Sequence, residues 1–173
     1  YLIKEYFSNY FLHHSDVTFF MDENRMKVHD GRAEQWTVTL VDTGENTMTG
    51  SRLKRIASYV KDEEAFCFTY GDGVSDLNVT KLIEFHKSHG CLATLTSVYP
   101  PGRFGALNIH SDNYVVSFEE KPKGDGRQIN GGFFVFEPQV LDYVSGDGMP
   151  LEQAPLTQLA FDNELMAYQH EGF

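Results

Sequence analysis

"EAFCFTYGDGVSDLNVTKLIEFHKSHGCLATLTSVY" (64–99) decides the fold. Its opening, EAFCFTY (64–70), is apolar without polar alternation, the pattern of a strand covered on both faces in a parallel sheet. Gly71-Asp72-Gly73 ends that run abruptly. LNVTKLIEFHKSHG (77–90) then has helical spacing, with Asp76 or Asn78 as N-cap and Gly90 as the stop. CLATLTSVY (91–99) is a second strand. Strand, helix and strand within about 35 residues predict a βαβ unit with a right-handed crossover.

Working outward, apolar residues at Leu2/Ile3, Tyr6/Phe7 and Tyr10/Phe11 predict an amphipathic helix over 1–12. Strands are expected at 16–21 and at 34–42, where EQWTVTLVD alternates and is rich in β-branched residues. A polar loop (42–50) leads into a helix over 51–60, with Ser51 as its cap. Downstream, 104–122 reads as a hairpin turning at Ser111-Asp112-Asn113, and 129–138 as a strand closed by Pro138. Short helices at 139–144 and 151–163 precede a last strand at 164–170. No repeat or linker interrupts the order, so residues 1–173 are expected to form a single α/β domain.

The chain carries 14 Lys and Arg against 25 Asp and Glu, a formal charge of −11. That argues against nucleic acid, which demands a basic face. It leaves room for a small phosphorylated ligand, since a metal and a few local cations bind one inside an acidic protein. With 173 residues and 41% hydrophobic composition, one sizeable core is within reach. Cys67 and Cys91 lie in apolar runs and are expected to be buried thiols in a reducing compartment. No apolar stretch approaches a membrane span and no signal peptide opens the chain, so the cytoplasm is expected. The chain begins with Tyr1 inside a helix already under way, which suggests part of a longer protein.

Asp72 is the first candidate site residue. An Asp-Gly pair is a strong hairpin signal. Here a helix follows, which puts Asp72 at the carboxyl edge of a strand, where open α/β sheets bind ligands. One carboxylate between two glycines suits Mg²⁺, which takes one or two protein carboxylates and fills its shell with water and phosphate oxygens. The second is TMTGSRLKR (47–55), a helix start whose free N–H groups favour an anion. There Thr47, Thr49 and Gly50 offer hydroxyls and backbone, and Arg52 offers charge; Lys54 and Arg55 are expected to face solvent. The third is FEEKPKGDGRQINGGFFVF (118–136). Lys121, stiffened by Pro122, is a point charge for phosphate, and Glu120 and Asn130 are partners for hydroxyls. Glycine in the following strand marks close approach of a ligand or of another backbone. Arg103 and Gly105 in PPGRFGALNI (100–109) are further lining candidates. No HExxH, G-x-S-x-G, Walker A or G-x-G-x-x-G pattern is present, so zinc, acyl-enzyme and P-loop chemistry lack support.

Taken in order and spacing, DTGENTMTGSRLKRI, FTYGDGVSDLNV, YPPGRFGALNI, FEEKPKGDG and INGGFFVFEP resemble the sugar nucleotidyltransferase family, and in particular its cytidylyl-transferring members. The resemblance covers the chain from first residue to last. It implies a Rossmann-like mixed sheet of the nucleotide-diphospho-sugar transferase type, incomplete at both ends, with CTP and glucose 1-phosphate as partners and CDP-glucose and pyrophosphate as products. It implies Mg²⁺ on Asp72, nucleotide contacts from Thr47, Arg52 and Gly71, and a sugar phosphate held by Gly105, Glu120, Lys121 and Asn130. Asp72, Lys121 and Arg52 would be the catalytic set, in a homo-oligomer. The family's G-x-G-T-R loop is expected ahead of Tyr1, and its second metal-binding aspartate after residue 173. Two rival readings are a metal-dependent glycosyltransferase, which favours two aspartates one residue apart, and a non-catalytic binding or regulatory subunit on the same fold.

Overall fold

The computed structural model describes residues 1–31, 34–100, 106–119 and 128–172. It divides into two compact units, residues 1–42 and 43–173. In the first, α1 (Leu2–Ser8) and α2 (Tyr10–His13) form the expected N-terminal helix, broken at Asn9. Tyr6 meets Phe7 and Tyr10 edge-on, with ring centroids 5.3 and 5.6 Å apart. The expected strand at 16–21 is β1 (Val17–Phe20), and it turns back into β2 (Arg25–Val28). The Arg25 guanidinium lies 3.8 Å from the centre of the Phe20 ring. β2 alternates Arg25, Met26, Lys27 and Val28 but is wholly exposed and only four residues long, too short a run to announce itself.

The expected strand over 34–42 is not one. Its described residues form no ladder, and Trp36, Val38 and Val41 stay exposed. Alternation supplies a face, but a strand also needs a neighbour for its N–H and C=O groups.

The second unit is built on a four-stranded sheet in the order β3-β7-β4-β8. These strands are β3 (Phe66–Thr69), β4 (Ala93–Val98), β7 (Ile129–Phe136) and β8 (Leu165–Gln169). β7 runs antiparallel to both β3 and β4, and β4 runs parallel to β8. Hence β3, β4 and β8 point one way and β7 opposes them, giving the mixed sheet that the resemblance implied. The βαβ unit exists, with α5 (Val79–His89) as its crossover, but β7 is inserted between its two strands. Asn78 caps α5 by accepting from the Lys81 N–H at 3.0 Å. Gly90 ends it with φ of +71°, a conformation that a side chain disfavours.

β3 departs from the expectation of burial on both faces. Among the described residues it pairs only with β7, and its side chains alternate, Phe66 and Phe68 toward the core and Cys67 and Thr69 outward. Cys67 is therefore exposed and Cys91 partly so, not buried thiols. The hairpin of β5 (Ala106–Ile109) and β6 (Val115–Glu119) forms as expected, with Asn113 at φ +68° in its turn. After β7, a 3-10 helix (Pro138–Tyr143) and α6 (Ala154–Phe161) cover the sheet. The core gathers Leu53, Ala93, Phe134, Phe136, Val140, Leu141, Leu151, Leu156 and Leu159. Among the described residues no helix is long and apolar enough to cross a membrane.

α5 docks through a polar contact inside this packing. Thr94 on β4 is fully buried, and its Oγ1 lies 2.8 Å from His86 Nδ1 and 2.7 Å from His89 Nε2. The Cys91 N–H donates to His89 Nδ1 at 3.0 Å. His89 therefore carries its proton on Nε2 and gives it to Thr94, whose hydroxyl is free to donate to a neutral His86 at Nδ1. This arrangement requires a neutral His89. Burial lowers the His86 pKa, aided by His89 and Lys87, and burial lowers that of His89 against an opposing pull from Glu137. The unfolded chain then binds more protons below about pH 6.5. Stability is therefore expected to fall as pH drops through about 6.5 toward the lowered native values. Thr94→Val should cost ~1–3 kcal/mol by stranding the His89 ring N–H, while the pH dependence, set by burial, should persist. Denaturant melts between pH 7.5 and 5 check both, and a variant as stable as the parent, or stability that does not fall with pH, would overturn them.

Candidate functional site

Topology collects the site at one edge of the sheet. Because β7 opposes the others, its first residues lie beside the carboxyl ends of β3 and β4, with Thr69 opposite Phe133 and Ser97 opposite Asn130. Asp72, leaving β3, and Asn130, entering β7, thus share that edge. His170, leaving β8, reaches it too: its N–H donates to Ser97 O at 2.9 Å.

Asp72 sits in a tight turn closed by the Gly73 N–H donating to Tyr70 O at 3.2 Å. The carboxylate is exposed and has no hydrogen bond or ion pair among the described residues. A Cβ on Gly71 would meet nothing within 4 Å, so the main chain is open on that side. Downstream, His170 Nε2 lies 2.9 Å from Asp76 Oδ1 and 3.3 Å from Ser75 Oγ, which fastens the far end of the loop. A single free carboxylate in open space fits an ion that completes its shell with water and phosphate oxygens. No cluster of three metal-ligating side chains occurs among the described residues.

Asn130 is exposed and folds back onto its own strand. Its Oδ1 accepts from the Gly132 N–H at 2.8 Å. Gly132 has φ of +79°, and a Cβ there would meet the Tyr70 ring at 3.1 Å; one on Gly131 would come within 3.1 Å of Thr96 O. Of the two meanings open to glycine in this strand, close approach of neighbouring protein explains both positions.

The helix start at 47–55 is occupied by structure. α3 (Thr49–Arg55) begins at Met48, with no side-chain cap. Ser51, expected as the cap, is buried one turn in; its hydroxyl donates to Gly146 O at 2.8 Å and accepts from the Met149 N–H at 3.0 Å. Thr49 Oγ1 donates to Glu152 at 2.8 Å and accepts from the Leu151 N–H at 2.9 Å. A Cβ on Gly50 would fall 2.8 Å from Met149 O. Thr47 is buried. Arg52 donates to Thr43 Oγ1 at 2.8 Å and to Glu45 O at 2.9 Å, so it braces the loop before the helix with two of its N–H groups. Lys54 and Arg55 face solvent as expected, and from there reach Leu141 O and Thr43 O, with Arg55 also paired to Asp147. Arg103, Gly105, Glu120 and Lys121 lie outside the described residues.

Two residues that sequence reading passed over stand next to Asp72. The Tyr70 hydroxyl donates to Glu152 Oε1, whose partner oxygen takes the Thr49 hydroxyl. Burial and this bond raise the phenol pKa well above its usual value. Burial pushes the Glu152 carboxyl up, but hydrogen bonds from Tyr70, its own backbone and Thr49 outweigh it and hold the group below its ordinary range. Tyr70 precedes Gly71 directly, which was a visible signal; Glu152, 82 residues on, offered none.

An exposed carboxylate without partners adds little to folding. Asp72→Asn is expected to change stability by no more than ~0.5 kcal/mol in a thermal melt. A loss of several kcal/mol would make Asp72 a structural residue.

A Nucleotidyl transferase family model matches residues 9–171. Glucose-1-phosphate cytidylyltransferase of Salmonella typhimurium is 64% identical over 173 residues, covering 100% of this chain and 67% of that protein. The protein named probable glucose-1-phosphate cytidylyltransferase of Bacillus subtilis is 40% identical over 173 residues, 99% of this chain and 66% of its own length. The chain thus spans about two thirds of the length of these curated relatives. The crystal structure of HddC from Yersinia pseudotuberculosis superposes with a TM-score of 0.51 at 24% identity, over 75% of this chain and 56% of that one, and shows likeness of fold alone.

Proposed function

The chain belongs to the nucleotidyl transferase family, and from that premise we propose that its reaction is cytidylyl transfer from CTP to α-D-glucose 1-phosphate, giving CDP-glucose and pyrophosphate. The observation that carries the proposal is the 64% identity over the whole chain to the Salmonella typhimurium enzyme of that name.

In this reading the sugar phosphate oxygen attacks the α-phosphorus of CTP and pyrophosphate leaves. A phosphate monoester has a second pKa of about 6, so the attacking oxygen is already ionised at neutral pH and needs no general base. The barrier is then repulsion between anions and the cost of alignment. Asp72 would hold Mg²⁺, which when bound supplies charge screening and polarises phosphoryl oxygens. Gly71 leaves the main chain open to the nucleotide. Arg52, braced on Thr43 and Glu45, keeps the loop ahead of α3 in one conformation and contributes fixed positive charge near it. Thr47 serves from the backbone, its side chain being buried. Lys121 would meet the sugar phosphate as a point charge, with Gly105, Glu120 and Asn130 toward the sugar. The Asn130 amide N–H groups, which also act on the Tyr70 hydroxyl, are the part of that side chain that would reach a sugar hydroxyl, since its oxygen accepts from Gly132.

The test is Mg²⁺-dependent pyrophosphate release by the full-length protein with glucose 1-phosphate and each of CTP, UTP and dTTP. Release with CTP is expected, with Asp72→Asn lowering kcat by ~100-fold or more. Lys121→Ala should act mainly by raising KM for the sugar phosphate. Release with another nucleotide would overturn the base assignment, and none with any would overturn the reaction.

A further inference from the structure

The turn that carries Asp72 is flanked by glycine on both sides, so its own residues give it little stiffness. What locates it is Tyr70. The Tyr70 carbonyl accepts the Gly73 N–H that closes the turn. Its ring lies against Gly132, and meets Phe68 and Phe134 edge-on at centroid distances of 5.7 and 5.9 Å. Its hydroxyl is fixed by Glu152, and Glu152 is fixed by Thr49 in the first turn of α3. Thr49 also accepts the Leu151 N–H, which sets the loop that presents Glu152. A continuous path of named contacts therefore runs from the metal-facing turn to the helix start that follows Thr47 and carries Arg52.

We propose that Tyr70 and Glu152 are positioning residues: their hydrogen bond, anchored on Thr49, holds the Asp72 turn in register with the N-terminus of α3. The consequence for metal and nucleotide rests on the reaction proposed above. The bond itself is a property of the fold. Glu152 held below the ordinary carboxylate range keeps the acceptor ionised through neutral and mildly acid pH, so the link persists where the enzyme would work.

The experiment uses the full-length protein with Tyr70→Phe, Glu152→Gln and the double substitution. Tyr70→Phe keeps the ring and its packing and removes only the hydroxyl. Amide hydrogen exchange over residues 70–73 is compared with exchange over β7 and α5, and Mn²⁺ binding in the presence of CTP is read by water-proton relaxation. Neither readout needs turnover, so a protein that releases no pyrophosphate still decides the role of the pair. Exchange in the 70–73 turn is expected to rise ~10-fold or more, that of β7 and α5 to stay put, and Mn²⁺ binding to weaken several-fold. The double variant should fall short of the sum of the two single variants, because both substitutions act on the one Tyr70–Glu152 contact. Unchanged exchange in the turn, or an equal rise across β7 and α5, would overturn the proposal, the latter by reducing the pair to general stability.

Discussion

One strand running against its neighbours organises the second unit. β7 is hydrogen-bonded to β3 on one side and β4 on the other, and its Phe134 and Phe136 are fully buried between them. Reversed direction puts the start of β7 at the finish of the other strands. Asn130 and Asp72 meet at one edge for that reason alone. A parallel β7 would have sent Asn130 to the far end of the sheet. The same strand carries the irregularity that the edge requires. Its register against β4 shifts between Leu95 and Ser97, and Gly131 and Gly132 absorb the shift where any side chain would strike Thr96 or Tyr70.

Local signals in this chain were legible wherever the reason for an element is itself local. Asn78 and Gly90 bracket α5 because a side-chain cap and a left-handed stop act within one turn of helix. The hairpin of β5 and β6 follows from its turn residues. The order of the strands was not legible. Nothing in 64–99 says that a strand from residue 129 onward will enter between its two strands, and so β3 was misjudged as covered on both faces. EQWTVTLVD shows the limit from the other side, having the pattern of a strand and no described partner.

The candidate site divides in the same way. Asp72 was found because its flanking glycines and the following helix are neighbours in sequence. Sequence reading assigns Thr49 and Gly50 to a ligand, because a helix start with free N–H groups is a ready anion site, and Ser51 to the helix cap. Their true partners, Gly146, Met149, Leu151 and Glu152, lie about a hundred residues downstream, beyond the reach of any window. Hydroxyls that a ligand could use and hydroxyls that a distant loop does use look identical in sequence. Burial separates them, and burial is a property of the finished fold.

Those long-range ties bear on how the protein comes to exist. The bonds from Thr49 and Ser51 span 95 to 103 residues. A chain made N-terminus first exposes the start of α3 well before its partners emerge, by about 5–20 s at ordinary rates of synthesis. For part of that interval β3 also lacks β7, leaving a bare edge. Nascent chains are then at their most vulnerable to wrong pairing. The loop at 145–152 thus gives the helix start its final neighbours only after β7 has closed on β3, and β8, made later still, completes the sheet beside β4.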